Sequence, residues 1–478
     1  MQIDAAALDV ARLGFHRAFP ARSAKRRLHV TQVLWLGAVV AGLAWLGRSD
    51  PTRALDVVHV SAFALFAAMI LIRLLAAAHL AAPLTRLATP GLWPVYTILC
   101  PLYREANVVT DLILALERLD YPHEALDIKL LVEGDDEETV AATLAAARAP
   151  HMEVVIVPAS APRTKPKALN VGLARARGDY VVVYDAEDRP HPQQLRAALA
   201  AFEDGDDTLA CVQAPLAIDN AGASWLARQY AAEYAIQFFA VLPFLARHRL
   251  PLPLGGTSNH FRTQKLREAG GWDPYNVTED ADIGYRLARN RQQIGVIAPP
   301  TWEEAPVGLG AWLNQRSRWI KGHLQTWLVL MRNPFRTIHE MGLMGFLAMQ
   351  LMLGGGLLAA AVHGPLAFVV LSAALTPFDL LAPADFTLAL FGYCVAVFAA
   401  LTASALSRTW SHAWAALTMP LYWPLATLAA AKAAFELIFR PFWWSKTSHG
   451  VSDRPPIFDP APAKRHVSTA QIAARGRA

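Results

Sequence analysis

The sequence predicts a soluble α/β domain with a mostly parallel sheet, inserted between apolar helices that cross a membrane. Three observations carry this. Apolar residues make up 54% of the chain against 17% charged, and they gather in runs towards both ends. Between Tyr96 and Pro215, short β-rich runs alternate with Ala- and Leu-rich helical stretches. Acidic residues collect just after those runs, where ligands of such sheets lie.

The elements follow in chain order. Residues 1–29 form an amino-terminal segment whose Arg22, Lys25, Arg26 and Arg27 favour the cytoplasmic side. Residues 30–82 hold two predicted spans, Val30 to Leu46 and Val57 to Ile72, free of Asp, Glu, Lys and Arg. Each is near the roughly 17 to 25 residues needed to cross hydrocarbon. Residues 95–330 read as the soluble domain, with strands expected at Tyr96 to Cys100, Ile128 to Val132, Val154 to Val157, Tyr180 to Tyr184 and Ala210 to Gln213. Residues 341–437 hold about four more spans: Leu343 to Val362, Pro365 to Leu381, Phe386 to Leu406 and Trp414 to Leu437. Residues 438–478 form a basic tail with Arg440, Lys446, Arg454, Lys464, Arg465, Arg475 and Arg477, which is expected in the cytoplasm and asks for an even number of spans.

The formal net charge of +5 follows from these membrane flanks. No basic and aromatic stripe asks for nucleic acid. Cys100, Cys211 and Cys394 are too few and too scattered for a disulfide framework or a zinc site.

The chemistry sits after the strands. Tyr103, Arg104 and Glu105 follow the first, Glu133, Gly134, Asp135 and Asp136 the second, and Asp185, Ala186, Glu187 and Asp188 the fourth. Carboxylates gathered at one rim raise each other's pKa unless a cation stands among them. Mg²⁺ or Mn²⁺, which take oxygen ligands and substrate phosphates, are the simplest answer. A Gly-rich phosphate loop with a following Lys-Ser or Lys-Thr is absent, which disfavours a P-loop nucleotidase.

Further along stand Thr278-Glu279-Asp280 and, thirty-five residues on, Gln315-Arg316-Ser317-Arg318-Trp319. With the two acidic turns in this order, the chain resembles the family 2 membrane glycosyltransferases related to cellulose synthase and the bacterial exopolysaccharide β-glucan synthases. The segments Tyr184 to Pro190, Asn276 to Asp282 and Lys446-Thr447-Ser448-His449-Gly450 add to the resemblance. It implies a GT-A, Rossmann-like fold for the soluble domain.

The resemblance also implies roles. Tyr103, Glu105, Glu133, Asp135, Lys165, Asp185, Gln315 and Arg318 would bind a UDP-sugar donor, with Lys167 a substitute for Lys165. Asp185 and Glu187 would hold the metal in an Asp-x-Glu variant of the usual pair, with Asp188 as a third ligand. Asp280 would be the general base, in a catalytic turn with Glu279 and Thr278, and Trp319 would face the acceptor sugar. Gly255 to Arg262 resembles a further family segment, in which His260 reads as structural.

The expected activity is inverting, processive transfer from a UDP-sugar, best UDP-glucose, to a growing glycan. The enzyme would sit multi-pass in a bacterial plasma membrane, among lipids, with its domain cytoplasmic; accessory export subunits are not identified by the sequence. One alternative is non-processive transfer to a lipid carrier. The other, of a different class, is a transporter regulated by nucleotide, which the scarcity of ionisable residues within the spans disfavours.

Overall fold

The computed structural model describes residues 3–80, 86–375, 382–407, 410–444, 446, 449–452 and 454. Ten strands form two sheets. In chain order they are β1 (Tyr96–Leu102), β2 (Leu126–Glu133), β3 (Met152–Val157), β4 (Tyr180–Val183), β5 (Arg189–Pro190), β6 (Leu209–Gln213), β7 (Leu216–Ile218), β8 (Asn259–Arg262), β9 (Gln293–Val296) and β10 (Thr301–Glu303). The larger sheet runs β3-β2-β1-β4-β8-β6-β9, and β5-β10-β7 form a small second one.

The five expected strands are β1, β2, β3, β4 and β6, each within a few residues of its expected bounds. β1, β2, β3 and β4 are parallel, and the Val, Ile and Leu side chains of β1, β2 and β4 are buried on both faces, while edge strand β3 leaves Val154 and Ile156 partly exposed. The sheet is mixed because β8 runs antiparallel between β4 and β6. Its sequence, Asn259-His260-Phe261-Arg262, is not among the expected strands, yet its side chains have built places. Phe261 fills the core, while His260 accepts or donates between the Tyr96 hydroxyl, 2.8 Å, and Gln194, 3.1 Å. Burial holds the His260 pKa down to about 3, so the ring is neutral and structural.

Among the described residues, four helical runs are long and apolar enough to cross a membrane: Val30–Ser49, Pro51–Ala78, Pro334–Ser372 and Pro383–Leu406. The sequence placed a break between Val362 and Pro365. The helix Gly356–Leu375 instead runs through Pro365. Proline leaves a carbonyl of the preceding turn without its N–H. The Thr427 hydroxyl takes up the disturbed turn, 2.8 Å from the Ala360 carbonyl and 3.4 Å from that of Ala361, and accepts the Gly364 N–H at 2.8 Å. Thr376, Pro377 and Asp379, the expected end of that span, lie outside the described residues.

The expected span Trp414 to Leu437 is a 3-10 turn (Trp410–Thr418), a short helix (Met419–Tyr422) and a fifteen-residue helix (Leu425–Phe439). Pro420 and Pro424 account for the breaks. The last helix packs on Leu309–Leu330 and Gly356–Leu375.

Neither end of the described chain stands free of the domain. The Ala5–Ala18 helix packs on the Lys165–Arg175 helix, and Arg22 pairs with Glu340. At the other end, Arg454 grips Asp219 at 2.9 Å and the Glu304 carboxylate accepts the N–H groups of Gly450, Val451 and Ser452. Lys464, Arg465, Arg475 and Arg477 lie outside the described residues.

Candidate active site

The carboxyl ends of β1 to β4 open into a cleft. Each strand delivers a turn to it. Tyr103 and Glu105 follow β1, Glu133 ends β2, Lys165 opens the helix after β3, and Asp185, Ala186 and Glu187 follow β4. The opposite wall comes from the start of the Glu279–Arg289 helix and from the Leu309–Leu330 helix.

Those two helices are locked together. Asn276 Nδ2 donates to Thr326 Oγ1 at 2.8 Å and the Val277 N–H to Gln325 Oε1 at 3.2 Å. A side-chain carbon at Gly322 would stand 2.3 Å from the Thr278 hydroxyl oxygen, so only glycine lets the turn sit so close. On this helix Gln315, Arg318 and Trp319 share one face through their i, i+3, i+4 spacing, and all three line the cleft.

The turn after β4 is the most heavily charged part. Lys165 Nζ stands 2.5 Å from Asp185 Oδ1 and 3.9 Å from Glu279 Oε1, and donates to the Gly256 carbonyl at 2.6 Å. Burial pushes Asp185 up, against the pull of Lys165. Burial and the adjacent Asp280 raise Glu279 to about 7. Burial also raises Asp280, although its own helix supplies the Ala281 N–H to Oδ1 at 2.7 Å. Gly256 lies between the acids: a carbon added there would meet Asp280 Oδ2 at 3.4 Å and Asp185 Oδ2 at 3.9 Å.

Asp188 does not line the cleft. Its Oδ2 accepts the Asp185 N–H at 2.6 Å and the Thr257 hydroxyl, which holds the turn in shape, while burial pushes the carboxyl well up. The third position beside Asp185 and Glu187 is taken by residues that were not expected there. His449 Nδ1 stands 2.8 Å from Glu187 Oε2 and 3.2 Å from Glu105 Oε1, and Lys446 pairs with Glu105. Burial alone would raise Glu187, but His449 and Lys446 outweigh it and hold the carboxyl down to about 2. Burial alone would lower His449, but Glu187 and Glu105 raise it to about 9. The tail thus enters the cleft, together with Trp444. The only sequence signal for this was the Lys446 to Gly450 segment of the resemblance.

Other expected donor residues have partners of their own. Glu133 is buried against Lys167 at 2.9 Å, and Asp135 pairs with Arg163, whose Nη1 donates to the Tyr103 hydroxyl at 2.9 Å. Lys167 therefore does not substitute for Lys165. Arg163 and Glu303 also line the cleft and were not singled out; burial and the nearby Glu187 raise Glu303 to about 8. Gln315 accepts from the Tyr230 hydroxyl at 2.9 Å. Trp319 packs near Tyr234, with ring centroids 6.3 Å apart at 30°, and under the Arg316 guanidinium.

Two features bear on what the cleft takes. Glu105, Asp185, Glu187, Glu279, Asp280 and Glu303 face Lys165, Arg318, Lys446 and His449, an acidic excess that a divalent cation would offset. Asp185, Glu187 and Glu105 offer it oxygen ligands, and the ligand atoms of Glu105, Glu187 and His449 lie within 4.8 Å of one another. Arg318 Nε is buried with no hydrogen-bond partner among the described residues, a donor suited to an anionic group. Beyond the aromatic wall, the helix that carries Tyr230 and Tyr234 (Trp225–Ile236) packs Ala232, Ala235 and Ile236 against Ala396, Ala399, Ala400 and Ala403 of the membrane-length Pro383–Leu406 helix.

Comparison with known proteins defines the class. Residues 94–322 match the family model described as Glycosyltransferase like family 2. Beta-monoglucosyldiacylglycerol synthase of Synechocystis sp. is 27% identical over 268 residues, 55% of each chain. Probable glycosyltransferase YdaM of Bacillus subtilis is 26% identical over 234 residues, 48% of this chain and 55% of that one. The chain thus spans about half the length of the curated relatives it matches. Among solved structures, mannosyltransferase PcManGT from Pyrobaculum calidifontis, in complex with GDP-Man and Mn²⁺, superposes with a TM-score of 0.51 at 20% identity, covering 79% of this chain and 98% of that one. The chain has the GT-A glycosyltransferase fold, and its residues 94–322 are similar to the family 2 glycosyltransferases.

Proposed function

We propose that this protein transfers a hexosyl group, best glucose from UDP-glucose, to a hydroxyl of a membrane lipid, with inversion at the anomeric carbon. The observation that carries the lipid acceptor is the Trp225–Ile236 helix, which presents Tyr234, backed by the buried Tyr230, beside Trp319 at the cleft and packs on a membrane-length helix. A lipid headgroup can reach such a wall without leaving the bilayer surface. The names of the relatives support the same choice over the growing glycan expected from the sequence.

In this mechanism Asp280 takes the proton of the acceptor hydroxyl as its oxygen attacks the anomeric carbon. The bond from that carbon to the β-phosphate oxygen breaks, and the pair of electrons leaves with the nucleoside diphosphate. Arg318 and Lys165 offset the charge that develops there. Trp319 and Tyr234 orient the acceptor. A divalent cation held by Asp185, Glu187 and Glu105 would supply Lewis-acid stabilisation of the diphosphate. Arg163 over the Tyr103 ring forms a flat cationic edge suited to the nucleoside. The domain would lie at the cytoplasmic face of a bacterial plasma membrane, on the side of the amino-terminal cations.

Extension of a polymer is the second reading, favoured by the Gln315, Arg318 and Trp319 block. Detergent-purified protein is incubated with radiolabelled UDP-glucose or GDP-mannose, Mg²⁺ or Mn²⁺, and diacylglycerol. Label that partitions into organic solvent as a monohexosyl lipid is the expected result. Label in a water-soluble polymer, with none in lipid, would overturn the proposal.

A further inference from the structure

The parallel strands have a second end, and a different set of ligands gathers there. Glu117 closes the Val109–Glu117 helix, His123 opens the short turn that leads into β2, and His151 stands just before β3. The backbone fixes this arrangement, because the Ile128 N–H of β2 donates to the His151 carbonyl at 2.9 Å. β2 runs from this end to Glu133 in the cleft, so its eight residues separate the two places by roughly 25 Å.

The three side chains converge. Their ligand atoms lie within 4.8 Å of one another, and the two imidazole rings are 4.7 Å apart between centroids at 38°. His151 is the telling member. Its side chain is 7% exposed, and its Nε2, 3.4 Å from Glu117 Oε1, is buried without a hydrogen bond. Buried polar atoms are nearly always satisfied, and those that are not ask for an explanation such as an ion. A neutral imidazole has a ring-nitrogen lone pair to offer a metal.

We propose that Glu117, His123 and His151 form a divalent-cation site, separate from the cleft, for Zn²⁺ or a similar borderline transition metal. Two imidazoles and one carboxylate make a three-ligand set that such an ion completes with water, whereas Mg²⁺ prefers oxygen ligands throughout. The ion ties the end of a helix to the starts of β2 and β3. That helix begins beside Glu105, whose carbonyl accepts the Val108 and Val109 N–H groups, so the site steadies an element that borders the cleft. The proposal does not depend on the lipid acceptor.

The test uses the full chain in detergent, stripped with chelator and returned to excess Mg²⁺ so that oxygen-ligand sites are filled. Co²⁺ is then titrated and its visible d–d absorption followed. One equivalent per chain should give a band of low-coordinate type, and Zn²⁺ should abolish it and raise Tm. His123 is exposed, so His123→Ala leaves the core intact; it should weaken Co²⁺ binding by about 100-fold or more and remove the Tm response to Zn²⁺. Glu117→Gln should weaken binding in the same direction. Absence of the band in the unaltered protein overturns the proposal. So does a band that survives His123→Ala or disappears in Glu187→Gln, since the ion would then sit in the cleft.

Discussion

The acidic turns after β2 and after β4 look alike in sequence and differ in what neutralises them. In Glu133-Gly134-Asp135-Asp136 the carboxylates are met by the domain's own groups. Lys167 takes Glu133, Arg163 takes Asp135, and Asp136 caps the helix behind it and accepts the Arg104 N–H. In Asp185-Ala186-Glu187-Asp188 only Asp188 is absorbed into the fold, and Asp185 meets Lys165. Glu187 is answered by His449, with Lys446 behind it, from a tail more than two hundred and fifty residues away. The difference separates an acidic turn that shapes a cleft from one that is available to bind.

Four experiments break or sharpen this contrast. The largest effect is expected from Asp280→Asn, which removes the carboxylate proposed as the base, opposite the β4 turn. Turnover should fall by about 10² to 10⁴ while the thermal midpoint holds. A fully active variant would remove Asp280 from the reaction. Glu187→Gln comes next, with apparent affinity for the activating metal lowered roughly 10- to 100-fold, read from the metal dependence of the rate.

Glu133→Gln should act on stability instead. It leaves the buried Lys167 ammonium without its carboxylate, a loss of about 3 to 5 kcal/mol for a broken buried pair, visible in denaturant unfolding. The rate per folded molecule should change little. A variant that is stable but inactive would assign Glu133 to the donor after all.

The smallest effect is one of pH. His449 is raised in the folded protein from 6.5 to about 9, so its pairing stabilises the docked tail fully below about pH 6.5 and is lost as pH rises through 9. Glu187 is lowered from 4.5 to about 2, so its share is complete above about pH 4.5 and is lost as pH falls towards 2. Proteolysis within residues 444–454 should therefore be slowest between these limits and quicken above pH 9. A flat profile would mean that the ion pair does not hold the tail.

Much of this was readable before the structure. Strand runs of Val, Ile and Leu with acids behind them gave β1 to β4 and the rim, because burial on both faces leaves a continuous apolar signature. The resemblance singled out Gln315, Arg318 and Trp319, and the structure puts them on one face of the Leu309–Leu330 helix. What sequence could not supply was pairing over distance. Nothing local distinguishes Lys165 from Lys167, two positions apart, yet one meets Asp185 and the other Glu133. Asp188 carries the same charge as Asp185 but turns inward to Thr257. β8 was missed because its polar residues are satisfied across the sheet, by Tyr96 and Gln194. The helix through Pro365 was missed because its repair comes from Thr427, on another element.

In the proposed mechanism the turn after β4, and not the turn after β2, holds the cation on which sugar transfer depends. Mn²⁺ binding followed by electron paramagnetic resonance, in the unaltered protein and in Glu133→Gln and Glu187→Gln, tests it most directly. The account predicts unchanged affinity in Glu133→Gln and at least a roughly 10-fold loss in Glu187→Gln. Equal affinity in all three, or a loss confined to Glu133→Gln, would contradict it.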